Sequence, residues 1–313
     1  VSYKSLWQGR IDSEDGDAGR RWHQVVEFQD TPYKAAGGLC LVGYPNDSGV
    51  EANKGRIGAA QGPDALRQAM ANLPWILAGK LFDIGNCTIH CELAETQQDY
   101  ASRVSEALRA NKVLGLGGGH DIAWASYQGL NKATDGIGNI GIINFDAHLD
   151  LRKPAPSASS GTPFRQIAEF SQRNNKPFHY ACLGASLAAN TPALLDYART
   201  TGTRMLPDTQ FSVEGAIECL TPMLENVEHL YVTVCMDAFP ASVAPGVSAP
   251  SALGISPQDT VQIIQWLGNQ CRARGLKWVL SDIAELSPGF DIQGATARLA
   301  GRIGFELANA MHG

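Results

Sequence analysis

Basic charge is in short supply. The 313-residue chain carries 25 lysines and arginines against 31 aspartates and glutamates, a net charge of −6. Nucleic acid and anionic membrane both call for a basic face, so neither is an expected partner. Charged residues of both signs make up only 18% of the chain, below the roughly 25% of ordinary soluble domains, so much of this chain must be buried and a disordered or fibrous protein is excluded. Long hydrophobic runs are missing as well. No stretch nears the roughly 18 apolar residues of a membrane helix. Residues 1–23 are polar, without the apolar core of a secretory signal, and the expectation is a cytoplasmic protein. Cysteine is sparse and odd in number, seven in all. Cys87 and Cys91 have no second pair to complete a zinc site. Cys40 and Cys182 sit inside apolar runs, so free, buried thiols in a reducing compartment are expected. The Gly-x-Ser-x-Gly elbow of a serine hydrolase is absent. The 33 glycines and 16 prolines follow no period and read as turns.

Short apolar runs alternate with longer amphipathic stretches. Expected strands are Leu39–Gly43, Lys80–Asp83, Lys112–Leu116, Ile140–Phe145, His179–Leu183, Arg204–Leu206, His229–Cys235 and Lys277–Ser281. Expected helices include Pro63–Ala71, Asp121–Asn131, Glu214–Glu225, Pro257–Arg274 and Thr296–Met311. Repeated strand–helix alternation points to α/β architecture, one parallel sheet covered on both faces. With neither linker nor repeat in the sequence, 1–313 reads as a single domain, with 1–37 an N-terminal extension packed on it. In such sheets ligands bind beyond the carboxyl ends of the strands.

Those ends carry the chemistry. Lys112–Leu116 runs into Gly117-Gly118-Gly119-His120-Asp121, Ile140–Phe145 into Asp146-Ala147-His148-Leu149-Asp150, and Tyr231–Val234 into Cys235-Met236-Asp237. In extended backbone alternate side chains share a face, so Asp146, His148 and Asp150 converge where an apolar strand ends. Such a group repels or goes unsolvated unless a cation sits within it. A solvated turn with Asp150 capping a helix is the plainer alternative, but it leaves His120 and Asp237 at matching strand ends unexplained. The glycine run lacks G-x-G-x-x-G and no Lys-Ser/Thr follows it, so close backbone approach is favoured over phosphate binding. Carboxylates mixed with imidazole suit manganese, magnesium, iron(II) or zinc. Six candidate ligands exceed the needs of one ion and fit two.

Together these motifs resemble the arginase/agmatinase (ureohydrolase) superfamily. The resemblance also rests on Arg56-x-Gly58-Ala59-x-x-Gly62-Pro63, on Pro240 and Ala244-Pro245-Gly246-x-x-x-Pro250 after Asp237, and on Asp282-Ile283-x-Glu285-x-x-Pro288, and it spans about Leu39 to Ala310. Within the superfamily the chain looks most like the branch that hydrolyses N-formimidoyl-L-glutamate in histidine degradation. The segments behind this are Trp7-Gln8-Gly9-Arg10, Asn53-Lys54-Gly55-Arg56, Ser160-Gly161-Thr162-Pro163-Phe164 and Phe290-Asp291-Ile292.

The resemblance implies a three-layer α/β/α fold with a central, mostly parallel eight-stranded sheet, and a homo-oligomer. It implies two divalent ions, manganese expected: one on His120, Asp146 and Asp150, the other on His148 and Asp146, with Cys235 and Asp237 binding or bridging. Position 235 is normally Asp in the superfamily. Cys235 is therefore the main departure, open to three readings: a ligand thiolate, a site with one labile metal, or an inactive relative. Glu285 matches the acid that receives a planar cationic amidine, and Asp150 is the candidate proton acceptor. Arg152, Arg165, Lys54 and Arg56 are candidates to bind the carboxylates of an anionic small-molecule substrate. Ser160–Phe164 lacks the histidine that arginase-like members carry there, which disfavours arginine. The rival readings are an agmatinase- or guanidinobutyrase-like hydrolase and a non-catalytic metal-binding relative.

Overall fold

The structure, a computed structural model, describes residues 2–29, 31 and 36–312. Among the described residues, nine strands form one sheet: β1 Val26–Phe28, β2 Gly38–Gly43, β3 Lys80–Asn86, β4 Lys112–Leu116, β5 Ile140–Phe145, β6 His179–Ala185, β7 Arg204–Pro207, β8 His229–Cys235 and β9 Lys277–Ala284. Their order is β1-β3-β2-β4-β9-β8-β5-β6-β7, and every pairing is parallel. Eight of these strands match the expected ones. The ninth, β1, lies in the N-terminal segment and was not anticipated. Three residues are too few to show an alternation; β1 is held by pairing with β3 and by Val26 and Phe28, which pack against buried hydrophobic residues.

The chain winds through β2, β3 and β4 on one side of the sheet, crosses to β5, and carries β6 and β7 outward on the other. It then returns to fill the gap with β8 and β9. Consecutive strands β4 and β5 therefore part company, and a crevice opens at such a point beyond the carboxyl ends.

Period-two alternation within the strands builds two cores. Leu41, Leu114, Ile143, Val232 and Ile283 face one, and Val42, Val113, Ile142, Tyr231 and Ala284 face the other. Helices α3 Gly62–Ala71, α8 Val213–Leu224, α9 Pro257–Arg274 and α10 Ala295–His312 cover the first face through Leu66, Leu220, Ile263 and Ile303. Helices α4 Leu93–Ala107, α5 Ile122–Ala133, α6 Pro163–Arg173 and α7 Pro192–Thr200 cover the second through Val104, Ile122, Ile167 and Ala198. Two short helices, α1 Trp22–Val25 and α2 Ser48–Ala52, complete the set. This is the three-layer arrangement expected. Helices α4, α6 and α7 were not read from the sequence. The first is polar along most of its length, the second opens at Pro163 directly after Ser160-Gly161-Thr162, and the third buries only Ala198.

All seven cysteines are free; Cys91 is exposed, Cys219 half-buried and the rest buried. Among the described residues, no helix is long and apolar enough to cross a membrane. Of the segment 1–37, residues 1, 30 and 32–35 lie outside the described set.

A buried ion pair ties that segment to the sheet. Asp83 on β3 is fully buried and accepts from Arg67 on α3, at 2.8 Å from Nε and 3.1 Å from Nη2. The Trp7 indole donates to the same carboxylate at 2.8 Å and the Gly85 amide at 2.9 Å. Every lobe of the carboxylate is thus used, as a buried charge requires. Replacing Arg67 by Leu strands that charge. We expect the free energy of unfolding in urea to fall by about 3–5 kcal/mol, and a loss below about 1 kcal/mol would show that the pair is not holding the segment.

Candidate metal centre

Four adjacent central strands, β4, β9, β8 and β5, deliver the side chains of the crevice. Past β4 the glycine run passes through crowded backbone. A Cβ on Gly117 would stand 2.4 Å from the Ile283 carbonyl oxygen, and one on Gly118 would stand 2.0 Å from that of Asn46. Side chains of any size are excluded, so the turn packs flat and presents His120 to the centre. The Glu285 amide donates to the Gly118 carbonyl and the His120 amide donates to Glu285 Oε1, both at 2.8 Å. Thus β4 and β9 are stitched together at the site.

His120 is buried, and its Nδ1 forms no hydrogen bond. That atom stands 2.9 Å from Asp146 Oδ2 and 3.1 Å from Asp150 Oδ2. On the other side of Asp146, His148 Nδ1 lies 3.4 Å from its Oδ1 and 3.2 Å from Asp237 Oδ2. Two donor clusters result, His120–Asp146–Cys235 and Asp146–His148–Asp237, the ligand atoms of each within 4.8 Å of one another. Asp146 belongs to both. Separations near 3 Å are what neighbouring ligands roughly 2.1 Å from a common ion must show. The donor set and the orphaned Nδ1 therefore fit a pair of divalent ions bridged by Asp146.

Partners in the surrounding shell fix these orientations. Thr233 Oγ1 holds His120 Nε2 at 3.1 Å, which leaves Nδ1 for the centre. Asn144 donates to Asp146 Oδ2 at 3.1 Å. Asn190 accepts from the Leu149 amide and donates to the Ala147 carbonyl, both at 2.9 Å, and so pins the Asp146–Asp150 turn. Phe164 meets the His120 ring edge-on at 5.6 Å. Asp150 and Glu285 both take positive φ, 47° and 66°. These left-handed conformations cost about 1–3 kcal/mol each for non-glycine residues and are tolerated where the surroundings dictate them.

The electrostatics ask for positive charge. Burial alone would lower His148, but Asp237 and Asp146 outweigh it and push the ring up to about 12. Burial would likewise lower His120, and Asp146 and Asp150 hold it well above the imidazole range. Burial and the charge of Asp146 raise Asp150 to about 6, and burial together with Asp237 raises Glu285 to about 8. Cys235 is driven far up by burial and by Asp146, Asp237 and Glu285, so as a neutral thiol it donates to Asp237 Oδ1 at 2.8 Å. A divalent ion reverses this balance, because it favours each ligand in its deprotonated form.

The clusters open into a cavity of about 390 Å³. Its buried end carries His120, Cys235, Asp237 and Glu285, while Asn53, Lys54, Arg56 and Arg152 are exposed at its mouth. Lys54 and Arg152 form no ion pair among the described residues. A Cβ on Gly161 would come 2.8 Å from Arg152 Cδ, so Ser160–Phe164 makes room for that side chain. A larger cavity of about 700 Å³ adjoins, sharing Lys54 and Arg152 and adding Lys153 and Arg165. The other two expected substrate cations are otherwise engaged. Arg165 pairs with Glu169 at 2.7 Å and lies 3.5 Å over the Tyr197 ring. Arg56 donates to the Ser248 and Val247 carbonyls, at 2.9 and 2.7 Å.

All six expected metal ligands thus come together, with Glu285 beside them. Thr233, Asn144 and Asn190 were missed. Alternation along β8 already aligned 233 with 235 and 237, and along β5 it aligned 144 with 146. Nothing local marks Asn190, which arrives from a distant loop.

Comparison with known proteins agrees with this geometry. A sequence model of the arginase family matches residues 38–309. A formimidoylglutamase of Hahella chejuensis is 42% identical, over 99% of this chain and 96% of the relative. Among solved structures, a Trypanosoma cruzi formiminoglutamase with manganese superposes with a TM-score of 0.76 at 24% identity, covering 100% of this chain and 99% of its own. The Bacillus subtilis formimidoylglutamase gives 0.81 at 21% identity, covering 94% and 92%. The chain belongs to the arginase family.

Proposed function

We propose that the chain hydrolyses N-formimidoyl-L-glutamate to L-glutamate and formamide, a step of histidine degradation. The observation that carries this reading is one cavity whose buried end holds two donor clusters and Glu285 and whose mouth holds two cations, Lys54 and Arg152, without an ion-pair partner among the described residues. His120, Asp146, Asp150 and Cys235 would hold one ion, and Asp146, His148 and Asp237 the other, manganese in both. When bound, such a pair supplies Lewis-acid charge and the means to ionise water at neutral pH.

The chain's own residues do the rest. Glu285 Oε1 is fixed by the His120 amide, and Oε2 makes no hydrogen bond among the described residues. A planar, cationic formimino group can pair with it and be held in line for attack. Asp150 Oδ2 faces His120, which leaves Oδ1 to take the proton from the attacking water and return it to the departing glutamate nitrogen. Arg152 and Lys54 meet the two carboxylates of the substrate. Agmatine would bring a second cation to the same mouth, and the charge there opposes it. We take 1–313 as one catalytic domain. The Trp7–Asp83 hydrogen bond and the β1–β3 pairing support 1–37 as an extension packed on it. Cytoplasmic placement and a homo-oligomer remain part of the reading.

The direct test loads the purified chain with manganese and compares turnover on N-formimidoyl-L-glutamate, agmatine, 4-guanidinobutyrate and L-arginine. Formamide release from the first, with the others at background, is expected; preference for any guanidine would overturn the assignment. Replacing Arg152 by Ala is expected to raise KM about 10- to 100-fold, the loss of one charge-assisted hydrogen bond, with kcat little changed. An unchanged KM would remove Arg152 from the substrate contacts. At position 235 the soft thiol should govern metal choice. Titration calorimetry of Cys235→Asp should show tighter manganese and weaker zinc binding than the parent, and identical affinities would mean that Cys235 touches neither ion.

A further inference from the structure

Arg56 was expected to meet substrate, yet its guanidinium is used up elsewhere. Nε donates to the Ser248 carbonyl at 2.9 Å and Nη2 to the Val247 carbonyl at 2.7 Å. The Arg56 amide donates to Ser248 Oγ at 2.8 Å. The guanidinium carbon lies 4.1 Å from the centre of the Phe290 ring. Arg56 therefore clasps three separate loops: its own at 53–58, the Ala244–Pro250 loop after β8, and the loop after β9 that follows Glu285. The glycines on either side allow this closeness. A Cβ on Gly55 would sit 2.6 Å from Ser248 Oγ, and one on Gly58 2.4 Å from Ser287 Oγ. The latter two loops are also joined directly, by the Ser287 amide to the Gly246 carbonyl at 2.8 Å. All three contribute to the cavity wall, through Lys54, Ser248 and Glu285.

We propose that Arg56 is a positioning residue, a latch that sets the distance between Lys54 at the mouth and Glu285 at the buried end, and so tunes the site to a substrate with anionic groups at a fixed span from its amidine. This rests on the function proposed above. Two divergent hydrogen bonds plus a stacked face are a guanidinium's geometry, which a lysine ammonium does not reproduce.

The test compares Arg56→Ala, Arg56→Lys, Phe290→Leu and the double variant Arg56→Ala/Phe290→Leu in the manganese-loaded enzyme. Phe290 is not part of the cavity wall, so it reports on the latch alone. A misplaced binding group can cost one to two powers of ten. Arg56→Ala should raise KM about 10-fold or more with kcat within about threefold. Phe290→Leu should raise KM in the same direction, Arg56→Lys should recover little, and the double variant should be no worse than Arg56→Ala because both remove one interaction. Hydrogen exchange of amides 54–58 should quicken in both single variants, a readout that needs no turnover and stands even if the substrate is another. Parent-like KM and exchange in Phe290→Leu alongside a raised KM in Arg56→Ala would show that Arg56 contacts substrate directly and overturn the latch. Additive effects in the double variant, or recovery by lysine, would overturn it too. Absence of formimidoyl-glutamate hydrolysis by the parent would instead overturn the function, while exchange still decides the latch.

Discussion

Asp146 is wholly buried, and both its oxygens are turned toward imidazoles, at 2.9 Å on one side and 3.4 Å on the other. With Asp150, Asp237 and Glu285 close by, this is more negative charge than an interior tolerates without compensation. Everything else in the crevice follows from that constraint. The imidazoles are oriented with Nδ1 inward, Thr233 and Asn144 hold the ligands from behind, and the backbone at Asp150 and Glu285 is kept in a strained conformation to aim their carboxylates. The two imidazoles supply part of that compensation, and the donor set fits divalent cations for the rest.

The sheet explains how so many groups reach one point. Because β5 leaves β4 for the other side of the sheet and β8 and β9 later fill the gap, four neighbouring strand ends point into a single crevice. β4 supplies His120, β9 Glu285, β8 Cys235 and Asp237, and β5 Asp146, His148 and Asp150, each at or shortly after its strand's carboxyl end. None of these side chains needs a long loop to reach the centre, so the geometry is inherited from the rigidity of the sheet. The two cations proposed to read the substrate, Lys54 and Arg152, lie instead on loops, where both are exposed.

Much of this was legible in the residues themselves. The near-continuous apolar runs marked eight strands because a sheet buried on both faces requires them, and Asp146-x-His148-x-Asp150 stood out as two carboxylates and an imidazole at the end of an apolar strand, of which Asp146 is wholly buried. The glycines at 117–119 were read as close approach, and the backbone contacts at Gly117 and Gly118 give the reason. The rest was hidden for physical reasons. β1 is three residues long, too short for its Val26 and Phe28 to show an alternation before pairing with β3 puts them on the core. Helix α4 is polar enough to look like surface. Arg56 and Arg165 looked like free cations, since a sequence does not disclose that one is held by two carbonyls and a ring and the other by Glu169 and Tyr197. Asn190 pins the ligand turn from forty residues away in the chain, a partnership that only folding creates.

The proposal that Asp146 serves both ions is tested most directly by growing crystals in manganese and recording anomalous scattering at the manganese edge. Two peaks about 3.5–4 Å apart, one on each side of the Asp146 carboxylate, one near His120 and Cys235 and the other near His148 and Asp237, are the expected result. A single peak that leaves one cluster empty at saturating manganese, or none with the carboxylates closed onto the imidazoles, would contradict the two-ion centre.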